Sequence, residues 1–542
     1  MNNKLFASTN KLKYILNTIK SHPKDIIWLN LHNVELHELN AEELSDALAQ
    51  IPKSITSLDL GLNYLYRLGA DGLLKVLAKL PTNITTIDLC LNGLDKLDFN
   101  GLAKVLVNIP TNITILDLSQ NDLYKLGPVG LANVLSQIPK SVAFVNLSRN
   151  EIYKLGVDGL NKLLAHIPIS NTLINFDGYD LYELGADSLA KVIAQIPKNI
   201  IEVDLSRNDL YKLGAIGLSK VLAQIPTNVT SLNLSSNCLY KLGADDLVKA
   251  LTQIQTNVTS LNFSSNDLNN LGLDGLVKVL NQIPTNITSL NLSLNGLDKL
   301  GADGLVNILS QISISVNSLN LSLNDLWLLK VDDLTKVLAK IPESITSLNL
   351  SKNDLCLQDA DDLARIISQI SKRITSVNLS GNGLCQLGSE GLAKVLTQIP
   401  ANVTFLDLSE NYLGAIDPFG LANVLAQIPQ SVKTVYLGKN KLFINKKGME
   451  IDIFLKNLGE NRYRFDLSEN GESDLARGLV PIFRLTQEDS SLPQLPIDIA
   501  THILSFLPTN NVNQYKRNFF KQQLLKIPEL MQEVIKKRAI LN

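Results

Sequence analysis

Residues 55–84 read ITSLDLGLNYLYRLGADGLLKVLAKLPTNI, and this stretch decides the fold of the whole chain. Its first part carries the spaced apolar residues of a short strand, and Gly69 then permits a tight turn. Leu73, Val76 and Leu77 follow at helical spacing, and Pro81 ends the helix because proline cannot continue its hydrogen-bond ladder. The stretch therefore predicts one strand, one loop and one helix.

The same unit recurs along the chain with a period of 29 residues. The asparagine of the pattern L-x-L-x-x-N-x-L marks the period, and Tyr179 stands in the one slot that lacks it. The marked positions are Asn63, Asn92, Asn121, Asn150, Asn208, Asn237, Asn266, Asn295, Asn324, Asn353, Asn382, Asn411 and Asn440. Repetition of this kind predicts a solenoid in which each repeat buries its apolar face against its neighbours.

This pattern resembles the leucine-rich repeat, L-x-x-L-x-L-x-x-N-x-L, in its helix-bearing, ribonuclease-inhibitor-like form. The resemblance implies an α/β fold, a right-handed solenoid with parallel strands on the concave face and helices on the convex face. It also implies that each asparagine turns inward and bonds backbone groups of neighbouring repeats. We predict a helical N-terminal cap at 1–25, the solenoid at 26–470, the end of the array at 471–490 and a small helical C-terminal module at 491–542.

Composition and motifs argue against nucleic-acid binding, metal binding and catalysis. The net charge of −2 is spread over interspersed acidic and basic residues, so we expect no nucleic-acid partner held by bulk charge. The four cysteines lack CxxC spacing, and there is neither a HExxH motif nor a phosphate-binding loop. The last cysteine, Cys385, lies inside a repeat, which excludes the cysteine-dependent ubiquitin-ligase domain of some bacterial leucine-rich-repeat proteins. We therefore expect no catalytic residue, metal or cofactor.

The sequence also predicts where the protein works. It lacks the uninterrupted apolar stretch of a secretory signal. It also lacks an apolar segment of about 18 residues, the length that a membrane span needs. We expect a monomer in a reducing, cytosol-like compartment. The repeats and polar positions are similar in style to those of leucine-rich-repeat effectors from Legionella-type intracellular bacteria, which implies delivery into a host cell by a non-Sec route.

A partner protein is predicted to bind the concave face where the repeats deviate from one another. Interface hot spots favour aromatic residues and arginine, whereas most outward strand positions are serine or asparagine. The aspartates at one strand position, such as Asp59, Asp88 and Asp117, are interpreted as solvated. The candidate contacts are Phe144, Arg149, Tyr179, Glu202 and Arg207 in one group and Phe405, Glu410, Tyr436 and Lys439 in the other. The alternative is neutral drift on a rigid scaffold.

A second column of side chains follows the asparagine by three and four residues. Its tyrosines are Tyr66, Tyr124, Tyr153, Tyr182, Tyr211 and Tyr240, with Trp327 and Phe443 in the same slot, and its cations are Arg67, Lys125, Lys154, Lys212 and Lys241. One hypothesis is that these Tyr–Lys pairs grip an anionic or phosphorylated ligand. The other is that the rings pack on neighbouring loops, and Glu183 interrupts the basic column.

The C-terminal segment has a different character. Residues 495–508 read LPIDIATHILSFLP and resemble the opening of an F-box, L-P-x-[DE]-[IL] with I-L-x-[FY]-L-P about eight residues on. The resemblance implies contact with the Skp adaptor of a cullin-RING ubiquitin ligase, with the repeats selecting the substrate. The implied contacts are Leu495, Pro496, Ile499, Ile503, Leu504, Phe506 and Leu507. The alternative is a helical cap that covers the last repeat.

Overall fold

A computed structural model describes residues 28–53, 55–165, 173–443, 448–458, 464–467 and 470. The chain divides into two compact units, residues 1–353 and 354–542. The predicted cap at 1–25 and the predicted segments at 471–490 and 491–542 lie outside the described residues, as do all seven F-box-like positions.

Every repeat of the described part contains a three-residue strand, or two residues in the last one, and most add a short 3-10 turn and a helix. In unit 1 the strands are β1 Trp28–Asn30, β2 Ser57–Asp59, β3 Thr86–Asp88, β4 Ile115–Asp117, β5 Phe144–Asn146, β6 Leu173–Asn175, β7 Glu202–Asp204, β8 Ser231–Asn233, β9 Ser260–Asn262, β10 Ser289–Asn291, β11 Ser318–Asn320 and β12 Ser347–Asn349. In unit 2 they are β13 Ser376–Asn378, β14 Phe405–Asp407, β15 Thr434–Tyr436 and β16 Phe465–Asp466.

The helices follow the strands in alternation. Unit 1 contains α1 Ala41–Leu48, α2 Gly69–Ala78, α3 Asp98–Val107, α4 Gly127–Ser136, α5 Gly156–Ala165, α6 Ala186–Ile193, α7 Gly214–Leu222, α8 Ala244–Leu251, α9 Gly272–Asn281, α10 Gly301–Ser310 and α11 Val331–Ala339. Unit 2 contains α12 Ala360–Ile367, α13 Gly388–Thr397, α14 Pro418–Ala426 and α15 Gly448–Leu458.

The strands pair in parallel with their sequence neighbours, shifted by one repeat. Within unit 1, β1 to β5 pair in succession, and so do β6 to β12. Within unit 2, β13 to β16 do the same. The parallel sheet with one helix per repeat confirms the predicted solenoid class.

The core lies between the sheet and the helices, as residues 55–84 predict. Ile55, Leu58, Leu60, Leu65, Leu73, Val76 and Leu77 are all buried. Gly69 has a φ of +66° and begins α2, so it makes the predicted turn. Burial of this aliphatic column in every repeat is the main term that stabilises the fold.

The asparagines form a buried ladder that holds consecutive repeats together. Asn237 is typical: its Oδ1 accepts the backbone N–H groups of Asn208 at 2.9 Å and Leu210 at 3.2 Å. Its Nδ2 donates to the carbonyls of Leu205, Leu234 and Ser235 at 2.9, 3.0 and 3.1 Å. The ladder satisfies loop groups that would otherwise be buried without partners, which confirms the inward asparagine.

The phase slip near the end of the array does not break the ladder. Asn470 follows Asn440 by 30 residues, yet its Oδ1 accepts the backbone N–H of Asn440 at 2.8 Å. Its Nδ2 donates to the carbonyls of Leu437 and Leu467 at 2.8 and 3.0 Å. The last described repeat therefore keeps the same anchoring.

Candidate functional site: the strand face

The outward face of the sheet, here called the strand face, consists of the first and third side chains of each strand. The middle residue of a strand points into the core, as Leu290 does in β10. In β8 to β12 the outward residues are serine and asparagine in every strand. The strands of this stretch offer only small polar side chains, and the exposed Leu294 and Leu323 lie in the loops after β10 and β11.

The third strand residue has a structural role that the sequence did not reveal. Its Oδ1 accepts the backbone N–H two residues later, at 2.9 Å from Asn291 to Ser293 and at 2.8 Å from Asp88 to Cys90. Asp59 makes the same bond to Gly61 at 2.8 Å and is only 7% exposed. The interpretation of these aspartates as simply solvated is therefore wrong for Asp59, and it is incomplete for Asp88 and Asp117, which are half-exposed but also close the turn after the strand.

Three of these carboxylates stand side by side, since Asp59, Asp88 and Asp117 are register partners in β2, β3 and β4. The pKa of Asp88 is raised, first by burial and then by the negative charges of Asp117 and Asp59, against the hydrogen bonds from Cys90 that favour the ionised form. The pKa of the Cys90 thiol is also raised by burial and by Asp88. The ionised carboxylate of Asp88 therefore destabilises the fold.

Replacing Asp88 by asparagine should raise the melting temperature at pH 7. A raised pKa in the folded state means that Asp88 favours folding below the ordinary aspartate pKa of about 3.9 and loses that contribution as the pH rises through the folded pKa. Asparagine holds this position in β8 to β12 and accepts the same N–H. Calorimetry at pH 7 and pH 3 checks this: the gain should shrink at pH 3, and an equal gain at both would contradict the electrostatic cause.

The first predicted group lies on the strand face of unit 1 and in the loops that follow β5 and β7. Phe144 is half-buried, whereas Arg149, Glu202 and Arg207 are exposed. Both arginines occupy the position before the ladder slot, with φ of +53°. Arg149 packs against Gly178, where an added Cβ would lie 3.3 Å from its Cγ. We call Phe144, Arg149, Glu202 and Arg207 patch N.

An acidic loop links the two arginines of patch N. The Arg207 guanidinium lies 3.5 Å from the carboxylate of Asp177, the residue before Gly178. The Ser206 hydroxyl donates to the same carboxylate at 2.9 Å and to Asp204 at 2.6 Å. Asp177 thus pairs with Arg207 on the same loop whose Gly178 packs against Arg149.

Tyr179, predicted as a partner contact, does not lie on this surface. Its side chain is 4% exposed, and its ring packs edge-to-face against Phe176 with centroids 5.7 Å apart. Its own N–H donates to Asn208 Oδ1 at 3.0 Å, so its backbone follows the ladder and places the ring inward. Burial raises the pKa of the phenol well above its ordinary value. Tyr179 is therefore a core residue and does not contribute to the strand face.

The second predicted group lies on the strand face of unit 2 and in the loops that follow β14 and β15, and we call it patch C. Phe405 is exposed, Tyr436 is half-buried, and the Lys439 ammonium lies 3.4 Å from the Glu410 carboxylate. The Tyr436 ring folds over Gly438, where an added Cβ would lie 2.9 Å from ring atom Cε2. Gly438 therefore provides the space for this ring, and patch C combines two aromatic side chains with an ion pair.

The Tyr–Lys column is a set of loop contacts. The Lys212 ammonium lies 3.8 Å from the centroid of the Tyr182 ring and 2.8 Å from the Asp209 carboxylate. Lys125 pairs with Asp122 at 2.6 Å, and Lys154 pairs with Glu151. These partners raise the pKa of all three amines. The three ammonium groups are thus paired with carboxylates of their own loops, and Lys154 and Lys212 also lie over the rings of Tyr124 and Tyr182 in the previous repeat.

The aromatic residues that share the tyrosine slot differ in placement. Phe443 is 3% exposed and packs edge-to-face on Phe454 with centroids 6.2 Å apart, so it belongs to the core.

Lys241 donates to the Tyr211 hydroxyl at 3.3 Å and lies 4.3 Å from the centre of its ring. These contacts favour the packing hypothesis for the column.

Two exposed apolar residues of the strand face escaped the sequence reasoning. Ile115 is 41% exposed and is the register partner of Phe144, so it extends patch N. Trp28 is 53% exposed at the first position of β1. The sequence did contain a signal for Ile115: it replaces serine at the first strand position, as Phe144 does.

The described part of the chain shows no sign of a metal centre or a membrane span. No three side chains of histidine, cysteine, aspartate or glutamate in that part are placed to hold a metal ion. No helix of the described ranges is long and apolar enough to cross a bilayer.

Comparison with known proteins agrees with this architecture. The family model described as Leucine Rich repeat matches residues 255–277 and 284–306. The leucine-rich repeat-containing protein LegL7 from Legionella pneumophila is 34% identical, with 50% of this chain and 83% of LegL7 covered and a TM-score of 0.46. The Rad7–Elc1 complex of yeast shows 14% identity over 82% of this chain and 90% of that chain, and its TM-score of 0.28 is too low for an inference.

No curated protein has significant sequence similarity to the chain. The repeat pattern, the family match within the array and the 34% identity to LegL7 over most of that protein's length point to one conclusion. The chain belongs to the leucine-rich-repeat family.

Proposed function

We propose that the protein is a non-enzymatic scaffold that holds a partner protein on its strand face. The observation that carries this proposal is the uneven chemistry of that face. Ile115, Phe144 and Phe405 stand outward with charged neighbours in patches N and C, whereas β8 to β12 repeat serine and asparagine. Aromatic side chains and arginine are the residues that dominate binding energy at protein interfaces.

The sharper form of the proposal is a bacterial effector that recruits a substrate to a host cullin-RING ubiquitin ligase. The F-box-like stretch at 495–508 supports it, and so does the similarity to a protein from Legionella pneumophila. In this form Leu495, Pro496, Ile499, Ile503, Leu504, Phe506 and Leu507 contact the host Skp adaptor. The substrate protein would occupy the strand face, in the cytoplasm of the host.

The alternative, a sensor of anionic ligands, has lost support. It requires cations of the Tyr–Lys column that are available to a ligand, yet Lys125, Lys154 and Lys212 are paired with carboxylates of their own loops. A ligand phosphate would have to displace these carboxylates.

One affinity-capture experiment with full-length protein and lysate of eukaryotic cells tests both the scaffold role and the adaptor role. The strand-face variant is Phe144→Ser with Arg149→Ser, which installs residues that the chain uses at these positions in β8 and its loop. The tail variant is Leu504→Asp with Phe506→Asp. The control is Ile216→Asp, because Ile216 is 77% exposed on α7 where most repeats carry aspartate.

We expect the strand-face variant to lose a partner at least tenfold while it retains Skp and cullin. The tail variant should do the reverse, and the control should match the wild type. Absence of Skp and cullin from the wild-type capture would refute the adaptor role. A capture unchanged by the strand-face variant, and also by Phe405→Ser with Lys439→Ser, would refute the strand-face scaffold.

A further inference from the structure

We propose that the strand face of β1 to β5 binds an extended segment of a partner protein that carries lysine or arginine side chains between apolar ones. This inference rests on the proposed scaffold function and adds the chemistry of the partner. It concerns only unit 1, and its footprint is the row of outward side chains that runs across five strands.

The first outward row of this sheet is apolar at both sides of a polar centre. Register pairs place Trp28, Ser57, Thr86, Ile115 and Phe144 in one line across the strands. Ile115 and Phe144 are adjacent, and Trp28 stands at the other end. Strand neighbours lie about 4.8 Å apart, so the row spans about 19 Å, the length of an extended segment of about six residues.

The second outward row, two residues further along each strand, is acidic at its centre. It runs Asn30, Asp59, Asp88, Asp117 and Asn146. Within the described part of the chain, no lysine or arginine forms an ion pair with the three carboxylates. Their side-chain neighbours are His32, 3.4 Å from Asp59, the Cys90 thiol on Asp88, and Asn146, which donates to Asp117 at 2.7 Å.

The fold itself does not require these charges. Asn233, Asn262, Asn291, Asn320 and Asn349 occupy the same position in β8 to β12 and accept the same backbone N–H at 2.9–3.0 Å. Carboxylates in β2 to β4 therefore add only negative charge, and at Asp88 that charge opposes folding. A negative charge that destabilises the free protein, at a position where asparagine fills the same structural role, is explained by a ligand that neutralises it.

The helix side of the same unit shows the contrast. There Asp187 pairs with Lys220 at 2.8 Å, and Asp71 and Asp245 pair with Lys104 and Lys278, each 33 residues further on. The repeat thus supplies a lysine for carboxylates on the helix side and none for the three on the strand face. The complementary occupant is basic, and the flanking Trp28, Ile115 and Phe144 select apolar side chains next to its cations.

The probe for this inference is a fluorescently labelled ten-residue peptide of alternating lysine and leucine, and the control peptide has glutamate in place of lysine. Full-length protein is titrated at low salt and at high salt, and binding is followed by anisotropy. The test variant is Asp59→Asn with Asp88→Asn and Asp117→Asn. The matched control, Asp71→Asn with Asp187→Asn and Asp245→Asn, removes the same charge from the helix side.

We expect the wild type and the helix-side control to bind the lysine peptide within twofold of each other. The strand-face triple variant should bind at least tenfold more weakly while melting no lower than the wild type. Equal loss in both triple variants would show a net-charge effect, and unchanged binding in the test variant would show that another surface holds the peptide. Either result overturns the inference, and so does equal binding of the glutamate peptide.

The apolar half of the site is tested by Ile115→Ser with Phe144→Ser. If this variant weakens capture of the cellular partner while the strand-face triple variant captures it normally, the scaffold function stands and the basic partner is refuted. If calcium ions alone raise the melting temperature of the wild type and not of the triple variant, the carboxylates serve a cation and the peptide inference also fails.

Discussion

Replacing Asn237 by leucine is expected to lower the free energy of unfolding by at least about 3 kcal/mol. The side chain is fully buried, and leucine would leave the N–H groups of Asn208 and Leu210 and the carbonyl of Leu205 without their partner. Each buried polar group without a partner costs about 1–3 kcal/mol. The apolar surface gained by leucine offsets only part of this loss.

The measurement is chemical denaturation, with Ser236→Leu as the matched control. Leucine occupies the corresponding position naturally at Leu294 and Leu323, where it is exposed. The control should therefore remain within about 0.5 kcal/mol of the wild type. If Asn237→Leu were as stable as this control, the asparagine ladder would contribute little to the free energy of unfolding.

Replacing Gly414 by alanine is expected to destabilise unit 2 by about 3 kcal/mol, the upper end of the usual cost of overpacking. A Cβ at this position would collide with the Lys441 carbonyl oxygen and lie 2.6 Å from its carbon. These are backbone atoms, and the preceding Asn440 is fixed by the ladder, since its Oδ1 accepts from Asn411 at 2.8 Å and Leu413 at 3.2 Å. The loop therefore has little freedom to retreat.

Cys385→Ala is the control for Gly414→Ala, because Cys385 occupies the same position one repeat earlier and already has a Cβ. The control should change the unfolding free energy by well under half as much as Gly414→Ala. Denaturation followed by tryptophan fluorescence would miss unit 2, since both tryptophans, Trp28 and Trp327, lie in unit 1. Far-ultraviolet circular dichroism is therefore the appropriate signal, and equal stability of both variants would contradict the predicted clash.

The sequence was sufficient for the fold because every repeat carries the same local and long-range information. Leu58 and Leu60 fall into the core, Gly69 makes its turn, and Asn63 enters the ladder, as the period predicts. The strand face was harder to predict. Tyr179 looked like an exposed anchor by residue type, but its slot directs it inward, as it directs the ladder asparagines.

A further error has a physical cause. The sequence alone does not show that Asp59 accepts a bond from the N–H of Gly61, so its carboxylate was assigned to solvent. Phe443 agrees with the packing hypothesis for its slot, but the sequence did not specify its partner Phe454, because the repeat pattern has already weakened in α15. Residues that deviate from the repeat are thus both the best functional candidates and the least predictable positions.

Tyr179, which takes the place of a ladder asparagine, is expected to weaken one junction between repeats of unit 1. Elsewhere in the ladder, an asparagine accepts two amides from the preceding repeat, but within the described residues no side chain accepts the N–H of Asn150 or Ile152, the two amides that face this slot. The strands on either side also belong to separate sheets, β1–β5 and β6–β12. In a solenoid, whose stability is a sum of nearest-neighbour terms, the weakest junction is where unfolding separates into steps. Patch N spans this junction, with Phe144 and Arg149 before it and Glu202 and Arg207 after it, so a partner that grips both sides would join two folding units into one.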